Sequence, residues 1–477
     1  MNFPNCMREY RLAMLRFVYA IVVLVFVFTG CAGLPVGEDK AQAPKKIVVI
    51  FADGVAPTQW DFGRYSSAVL RQKPFVAAEL FRNGALGLLS TNPHGAYVTD
   101  SAAAGSAMST GFKVENGVLS VTPDGKSPRT AMEAAKAKGK RIGLVTTSTV
   151  YDASPAAFSI HAKSRRDSQA LVNQYLALEP DVLLGGGADY FLPESAPGGK
   201  RKDGKDIVAA FRAKGWQVVT NTGELKAATG AKLLGLFADE DMDLEIDQDR
   251  AKQPTMAEMM AGALKALSLA SPNGFVLLVE NENTDTTGHH NDAAALMHSL
   301  WAIDDAVQVA LDFQRNSPDT LVIVTGDHET GGLSITYAQK DLSSMSSSNR
   351  FYAGDAQLRM IGAITMSFKT VVEKLGKKPS GETLDALLAK HFPGFKLDSD
   401  LREMILKQKT LERNHTYVLQ NLLGRMVARQ TGYYWGTGGH SSEPVLVGAA
   451  GPGANLFRGY QDNTDFGKNL HRLIEAR

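Results

Sequence analysis

Acidic and histidine side chains recur beside short apolar runs in this chain of 477 residues. In an open α/β sheet, ligands bind beyond the carboxyl ends of the strands, so side chains at such positions can meet at one rim. The candidates occupy five places: Asp53, Asp152, Glu280, Asp327 with His328, and His440. A single Asp or His at one such place is more often a turn former, a helix cap or a structural residue. Five places on one rim favour a shared site.

The segment VENENTDTTGHH brings three metal-ligand types into ten residues, namely Glu280, Asp285 and His289. Its neighbours Glu282 and His290 are rival ligands. Together with the strand-end acids, these side chains would place five negative charges at one rim, which requires polyvalent cations or protonation. Carboxylates with imidazoles suit zinc, whereas oxygen ligands alone suit magnesium. The sequence therefore predicts several bound metal ions.

A second chemical feature is the stretch YVTDSAAAGSAMSTG at residues 97–111, in which Asp100 and Ser101 precede small side chains. A helix beginning here would direct unpaired backbone N–H groups and its positive dipole end towards an anion beside the Ser101 hydroxyl. Such a helix could hold a phosphate against a nucleophile. The alternative is an ordinary cap on a tightly packed helix, and this segment alone favours neither.

Seven short apolar runs separated by helical patterns predict the fold. The predicted strands are 47–51, 141–146, 181–184, 216–220, 274–279, 320–324 and 445–448. The predicted helices between them include 130–138, 255–270 and 291–315, the last capped by Asn291. This succession predicts a three-layer, doubly wound α/β fold, in which helices cover both faces of a mostly parallel central sheet.

The region 333–432 departs from this alternation. A Ser-rich loop at 343–349 leads into helical patterns at 360–375, 383–391 and 400–423. We expect a mainly helical insertion before the last strands, which is either a surface elaboration or a lid beside the site. The catalytic domain that contains it is expected to span residues 45–477.

The amino terminus has the pattern of an export signal. Three arginines precede an uncharged run at 17–28, and small residues flank Cys31. We expect a signal peptide at 1–30, lipid attachment at Cys31 and a linker at 31–44, giving an exported protein anchored to a membrane in the periplasm or at the cell surface. Ordinary cleavage and an uncleaved anchor are the alternatives. Because the only other cysteine is Cys6, the exported domain has no disulfide and no thiolate metal site.

Composition and charge exclude other classes. Hydrophobic residues make up 44% of the chain and charged residues 21%, which is typical of a soluble globular protein and not of a disordered one. A formal net charge of +1 provides no global field for nucleic acid. Nucleic acid binding is therefore not expected.

Seven motifs in order give the chain a resemblance to the alkaline phosphatase family along most of its length. They are ADG at Asp53, VTDSAAA at Ser101, DASPAA at Asp152, HAKSR ending at Arg165, VENENTDTTGH from Val279, TGDHETGG at Asp327 and TGGH at His440. Short motifs match by chance, but seven in the family's order rarely do.

The resemblance implies a serine nucleophile at Ser101, a phosphate clamp at Arg165, and a site for two zinc ions and one magnesium ion. The planar fork of an arginine can bind two phosphate oxygens, which a lysine cannot reproduce. The implied ligands of one zinc are Asp285, His289 and His440. Those of the second zinc are Asp327, His328, Asp53 and the Ser101 oxygen, and those of magnesium are Asp53, Asp152, Ser154 and Glu280.

Two positions depart from the common family pattern. Ser154 stands where the family commonly has Thr, and it keeps the hydroxyl ligand. Thr286 stands where many members carry Lys, His or Trp. The second change removes a residue that can tune phosphate contact or the third metal, so the identity of that ion stays open.

The implied reaction is the hydrolysis of small phosphate monoesters through a phosphoserine at Ser101. The family pattern also allows a homodimer. The alternatives are a phosphodiesterase of the same superfamily and a catalytically silent phosphate-binding lipoprotein. The third-metal set with Asp152, Ser154 and Glu280 favours a monoesterase over a diesterase. A sulfatase is disfavoured because the sequence around Ser101 lacks a Cys/Ser-x-Pro-x-Arg context.

Overall fold

The computed structural model describes residues 43–341 and 343–476. The predicted signal peptide, Cys6, Cys31 and nearly all of the predicted linker lie outside the described residues. From Ala43 onward the chain forms one compact unit. Within the described ranges, none of the helices combines the length and the apolar character needed to cross a membrane.

Ten of the 16 strands in the described residues form one central sheet. The strands are β1 (Lys46–Ala52), β2 (Ala85–Ser90), β3 (Arg141–Thr149), β4 (Val182–Gly186), β5 (Gln217–Val219), β6 (Leu233–Leu236), β7 (Phe275–Asn281), β8 (Thr320–Thr325), β9 (Glu329–Thr330), β10 (Leu333–Ile335), β11 (Tyr337–Gln339), β12 (Arg350–Tyr352), β13 (Tyr433–Trp435), β14 (His440–Ser441), β15 (Val445–Ala450) and β16 (Gly459–Asp462). The order in the sheet is β16-β2-β15-β8-β1-β7-β3-β4-β6-β5.

The same residues contain 17 α-helices. They are α1 (Pro57–Ser66), α2 (Val76–Asn83), α3 (Ser101–Thr110), α4 (Ala131–Ala137), α5 (Ala153–Ala157), α6 (Ser168–Leu178), α7 (Ile207–Ala213), α8 (Thr222–Ala227), α9 (Met256–Ser268), α10 (Asn283–His289), α11 (Ala293–Asn316), α12 (Asp355–Gly362), α13 (Phe368–Leu375), α14 (Gly381–His391), α15 (Ser399–Lys407), α16 (Val418–Thr431) and α17 (Asn463–Glu475).

Strand β1 shows why the fold has three layers. Its successive side chains point to opposite faces of the sheet, and both faces are buried: Val48 and Ile50 belong to one hydrophobic cluster, whereas Ile47, Val49 and Phe51 belong to another. The first cluster includes residues of α1, α9, α11 and α12 to α16, and the second includes residues of α3 to α7 and α17. The predicted α/β fold with helices on both faces is confirmed.

Several details differ from the sequence prediction. The run at 445–448 forms β15, which is antiparallel to both β2 and β8, because an apolar run carries no information on strand direction. In the central sheet, strands β2, β6 and β16 were not predicted, because glycine interrupts the apolar runs of the first two and the third is a polar edge strand. Asn291 does not cap α11: its φ of 56° is left-handed, and the Asp292 side chain caps the helix instead.

The region 333–432 contains helices α12 to α16 and three short strands, β10 to β12. The predicted helices at 360–375 and 400–423 are each broken into two. The second break begins at Gln408, whose left-handed φ of 50° ends α15. Phe368 and Leu422 of this region belong to the same hydrophobic cluster as Val48 of the central sheet. The insertion therefore shares the core of the domain.

Candidate active site

Four adjacent parallel strands, in the order β8-β1-β7-β3, bring the predicted acids together at their carboxyl ends. Phe51 near the end of β1 lies opposite Glu280 of β7, and Asp53 follows two residues later. Asp327 follows β8, and Asp152 follows β3. The sheet register thus fixes the spacing of these carboxylates.

Helix α3 presents Ser101 at its first turn. Asp100 caps the helix with its side chain, and the Ser101 Oγ lies 3.1 Å from His328 Nε2. Every residue of α3 is buried. A Cβ placed on Gly105 would lie 3.1 Å from the Ala157 Cβ of α5, so the helix needs small residues to pack there. This segment is therefore a tightly packed, capped helix that also presents Ser101 to the site.

Asp285, His289 and His440 form one potential cation site. His289 Nε2 lies 3.1 Å from Asp285 Oδ2 and 3.2 Å from His440 Nε2. The Nδ1 of His289 is 2.8 Å from the Gly438 carbonyl and that of His440 is 2.7 Å from the Thr99 carbonyl, so each Nδ1 carries the proton and donates it. In the neutral rings both Nε2 lone pairs then face one another beside a carboxylate, which suits a shared cation.

A second set of ligand atoms surrounds the His328 ring. His328 Nε2 lies 3.4 Å from Asp53 Oδ1, 3.3 Å from Asp327 Oδ2 and 3.1 Å from the Ser101 Oγ. Asp285 joins this set as well, since its Oδ1 is 4.0 Å from His328 Nδ1. Asp285 therefore lies between the two groups, a shared position that the sequence did not predict.

The third predicted set is only partly assembled. The Ser154 Oγ donates to Asp53 Oδ2 at 3.5 Å, and Glu280 lies fully buried beside them, accepting a hydrogen bond from Thr146 at 2.6 Å. Asp152 is bonded instead to an arginine and to a serine outside this set. Asp53, Ser154 and Glu280 thus meet, whereas Asp152 lies at the edge of the set.

Burial and mutual repulsion dominate the electrostatics of these carboxylates. Burial first, and then nearby carboxylates, raises the pKa of Asp53 well above its usual range. The same causes raise the pKa of Glu280 to about 7 and that of Asp327 to about 8. Burial also opposes ionisation of Asp285, but the adjacent imidazoles outweigh burial and hold its pKa well below the usual range. Without a cation, this site can hold only part of its negative charge.

Unpartnered oxygens provide an independent test of whether the residues fit metal ions. Within the described residues, Asp53 Oδ1, Glu280 Oε1 and Asp327 Oδ2 are buried and have no hydrogen-bond partner. A buried oxygen left unpaired is costly. One such oxygen occurs in each of three neighbouring carboxylates, and all three are hard ligands for divalent cations. The donor set therefore fits zinc and magnesium.

Arg165 lies at the mouth of the site. Its Nη1 donates to Asp100 Oδ2 at 3.3 Å and its Nη2 donates to Asp152 Oδ1 at 2.9 Å. The two carboxylates hold the guanidinium fork in one orientation. Arg165, Asp100 and Asp152 line an open cavity of ≈ 690 Å³.

The rival ligands do not join either potential cation group. His290 is buried against the Tyr417 ring, with ring centroids 4.7 Å apart, and burial lowers its pKa to about 3. Glu282 accepts a hydrogen bond from Thr286 at 2.9 Å. Thr286 thus contacts a carboxylate neighbouring the site.

Two threonines that orient the ligands were not predicted from the sequence. The Thr330 hydroxyl donates to Asp285 and lies 3.2 Å from His328 Nδ1. From the insertion, Thr416 donates to Gly438 O at 2.8 Å, the same carbonyl that accepts from His289. Hydroxyls and carbonyls of this kind have no periodic signal. The only available hint was the position of Thr330 two residues after His328.

We expect the metal-free protein to lose stability as pH rises from 6.5 to 9. The raised pKa values of Glu280 (about 7) and Asp327 (about 8) mean that the folded state keeps protons that the unfolded chain releases near pH 4. The stability they contribute is present below the unfolded pKa and is lost as pH rises through the folded pKa. Burial disfavours the charged form of His289, but attraction to the Asp285 carboxylate is stronger and raises the pKa of His289 to about 9. Loss of this proton as pH rises also lowers the stability of the folded state.

Calorimetry of chelator-treated protein checks this expectation. The Tm should fall by about 5 °C between pH 6.5 and 9, whereas protein loaded with zinc and magnesium should show a smaller fall. A Tm of the metal-free protein that is constant or rises over this window would contradict it.

Comparisons with known proteins agree along the whole domain. A profile of the family described as alkaline phosphatase matches residues 44–476. Alkaline phosphatase 3 of Bacillus subtilis is 30% identical, with 95% of this chain and 96% of that protein covered. The repressible alkaline phosphatase of Saccharomyces cerevisiae is 32% identical, with coverage of 91% and 82%.

Solved structures agree as well. The crystal structure of Thermus thermophilus alkaline phosphatase matches with a TM-score of 0.82 and 28% identity, and the match covers 93% of this chain and 96% of that one. Sequence and fold therefore agree over nearly the full domain, and the chain belongs to the alkaline phosphatase family of phosphoric monoester hydrolases.

Proposed function

We propose that the chain hydrolyses phosphate monoesters through a phosphoserine at Ser101, at a site that binds two zinc ions and one magnesium ion. The observation that carries this proposal is the position of the Ser101 Oγ, 3.1 Å from His328 Nε2 at the first turn of α3. The nucleophile, the imidazole and the buried acids share one rim. Zinc would be held by Asp285, His289 and His440, and by Asp53, Asp327 and His328.

The third ion, magnesium, would be held by Asp53, Ser154 and Glu280. Asp152 would contribute from the edge of this set. When bound, the cations supply Lewis acidity, which favours the ionised serine and stabilises negative charge on the transferred phosphoryl group.

The side chains have separate tasks in the reaction. The Ser101 Oγ releases its proton to water and attacks phosphorus, the ester bond breaks, and the leaving alkoxide takes up a proton from water to become the alcohol. The Arg165 fork binds two phosphoryl oxygens, oriented by its hydrogen bonds to Asp100 and Asp152. The first turn of α3 directs its positive dipole end at the same group. Water then cleaves the Ser101 phosphoester, releases inorganic phosphate and restores the serine.

Hydrolysis of p-nitrophenyl phosphate and of bis(p-nitrophenyl) phosphate tests this function. We expect kcat/KM for the monoester to exceed that for the diester by at least about 100-fold, because a monoester presents three terminal oxygens to Arg165 and the cations, whereas a diester presents two and carries less negative charge. Metal-loaded protein that prefers the diester would support a phosphodiesterase. Metal-loaded protein without any turnover would support a silent phosphate-binding protein.

We also propose that the protein is exported and attached to a membrane through a lipid at Cys31. The three arginines, the uncharged run at 17–28 and the small residues around Cys31 support this location. Incorporation of a labelled fatty acid into the wild-type chain, and its loss in Cys31→Ser, would test the proposal.

A further inference from the structure

The cavity beside Arg165 has two further cationic side chains in its walls. Besides Arg165 and its two carboxylate partners, its walls include Lys163 and Arg166. Asp100 and Asp152, the acidic residues of this cavity, are both bonded to Arg165. Within the described part of the chain, neither Lys163 nor Arg166 forms an ion pair with a carboxylate. Lys163 and Arg166 thus flank the phosphate clamp without ion pairs of their own, and the cavity lining, with three cations and two carboxylates, carries a net charge of +1.

The loop that carries these two cations is anchored. Ala162 and Leu119 exchange two backbone hydrogen bonds of 2.9 Å, and the Arg165 N–H donates to the Gly117 carbonyl at 2.9 Å. The Arg166 N–H donates to the Ser164 hydroxyl at 3.2 Å. The backbone that presents the two side chains is therefore held beside the site.

The carboxylates nearest to this loop in sequence are engaged elsewhere or lie outside the cavity: Asp167, which follows Arg166, accepts from the Ala170 N–H as the cap of α6. Glu115 lines a smaller hollow that Lys163 also lines, but it does not line the cavity of Arg165. An anion in that cavity would meet Lys163 and Arg166 without displacing an existing ion pair. Because the cavity is open to solvent, the attraction is screened and depends on salt.

Resting on the proposed monoesterase function, we infer that Lys163 and Arg166 bind a second anionic group of the substrate. The favoured substrates are phosphomonoesters whose alcohol part carries a further phosphate. Arg165 holds the phosphoryl group that is transferred, and the two flanking cations hold the one that stays on the leaving alcohol. A substrate with a neutral alcohol has no group for these cations.

The test compares propane-1,3-diol bisphosphate with its monophosphate, which differ only in the second phosphate. The measured quantity is the ratio of their kcat/KM values at low salt, with metal-loaded full-length protein and release of inorganic phosphate as the signal. A factor of two arises because the bisphosphate has two reactive ends. We expect a wild-type ratio roughly 3- to 10-fold above that factor, and a decline as sodium chloride is raised.

The variant Lys163→Ala/Arg166→Ala should bring the ratio close to the statistical factor, and Lys163→Glu/Arg166→Glu should bring it lower. Lys377→Ala/Lys378→Ala removes two exposed lysines outside the cavity and should keep the wild-type ratio. A wild-type ratio of two or less, or an unchanged ratio in the double alanine variant, would overturn the inference. Absence of monophosphate hydrolysis in the wild type would instead overturn the proposed function.

Discussion

Ser101→Ala is expected to lower kcat/KM for a phosphate monoester by about 10⁴-fold while the zinc and magnesium contents stay at wild-type values. The Ser101 hydroxyl lies 3.1 Å from His328 Nε2, but the two groups of carboxylates and imidazoles proposed to hold zinc come together without it. The residual rate would come from the cations and Arg165 acting on water as the nucleophile.

The matched control is Ser109→Ala in the same helix. Ser109 is also fully buried, but its hydroxyl accepts a hydrogen bond from the Ala131 N–H and has no contact with the site. The Ser109→Ala variant should lose about 1 kcal/mol of folding stability and keep wild-type activity. Full activity in Ser101→Ala would refute the serine as nucleophile, whereas equal losses in both variants would indicate damage to the helix.

Asp285→Asn is expected to give the second large effect, a fall in kcat/KM of roughly 10³-fold or more together with weaker zinc binding. The Asp285 carboxylate lies 3.1 Å from His289 Nε2 and 3.5 Å from His440 Nε2, and it also belongs to the group around His328. Asparagine keeps the size of the side chain and an oxygen for Thr330, but it removes the negative charge from both groups at once.

Competition with a chelator measures zinc affinity separately from turnover. Asp304→Asn is the control, because Asp304 is also buried and burial raises its pKa to about 6, yet it lies on α11 and accepts from the Ala77 N–H. The control should keep wild-type zinc affinity. Wild-type zinc affinity in Asp285→Asn would refute the shared role of Asp285.

The carboxylates of the rim could be predicted because strand ends determine their position. Asp53 and Asp327 follow apolar runs that form neighbouring strands, so their proximity follows from a parallel sheet. The antiparallel direction of β15 could not be predicted, because burial on both faces gives the same apolar run in either direction. The cap at Asp292 was not predicted, because Asn is common both as a helix cap and in the left-handed conformation, and the sequence does not show which of the two Asn291 adopts.

The contact between the two histidines had no signal in the local pattern. His289 ends a short helix and His440 lies in a two-residue strand 151 positions later. The rim argument put both near one site, but only the family resemblance paired them as ligands of the same ion. The shared place of Asp285 and the role of Thr330 depend on side-chain directions that no spacing encodes. The role of Thr416 was not predicted either, because its segment was expected to continue a helix and instead forms a loop at the site.

Identification of the phosphorylated residue during turnover tests whether bound cations make Ser101 reactive towards phosphorus. Metal-loaded and chelator-treated protein would each be mixed with p-nitrophenyl phosphate, quenched in acid and digested, and the peptides examined by mass spectrometry. We expect a phosphate on Ser101 in the metal-loaded sample and none in the chelator-treated sample. Turnover with a phosphate on another residue, or equal labelling of Ser101 without metal, would contradict the proposed chemistry.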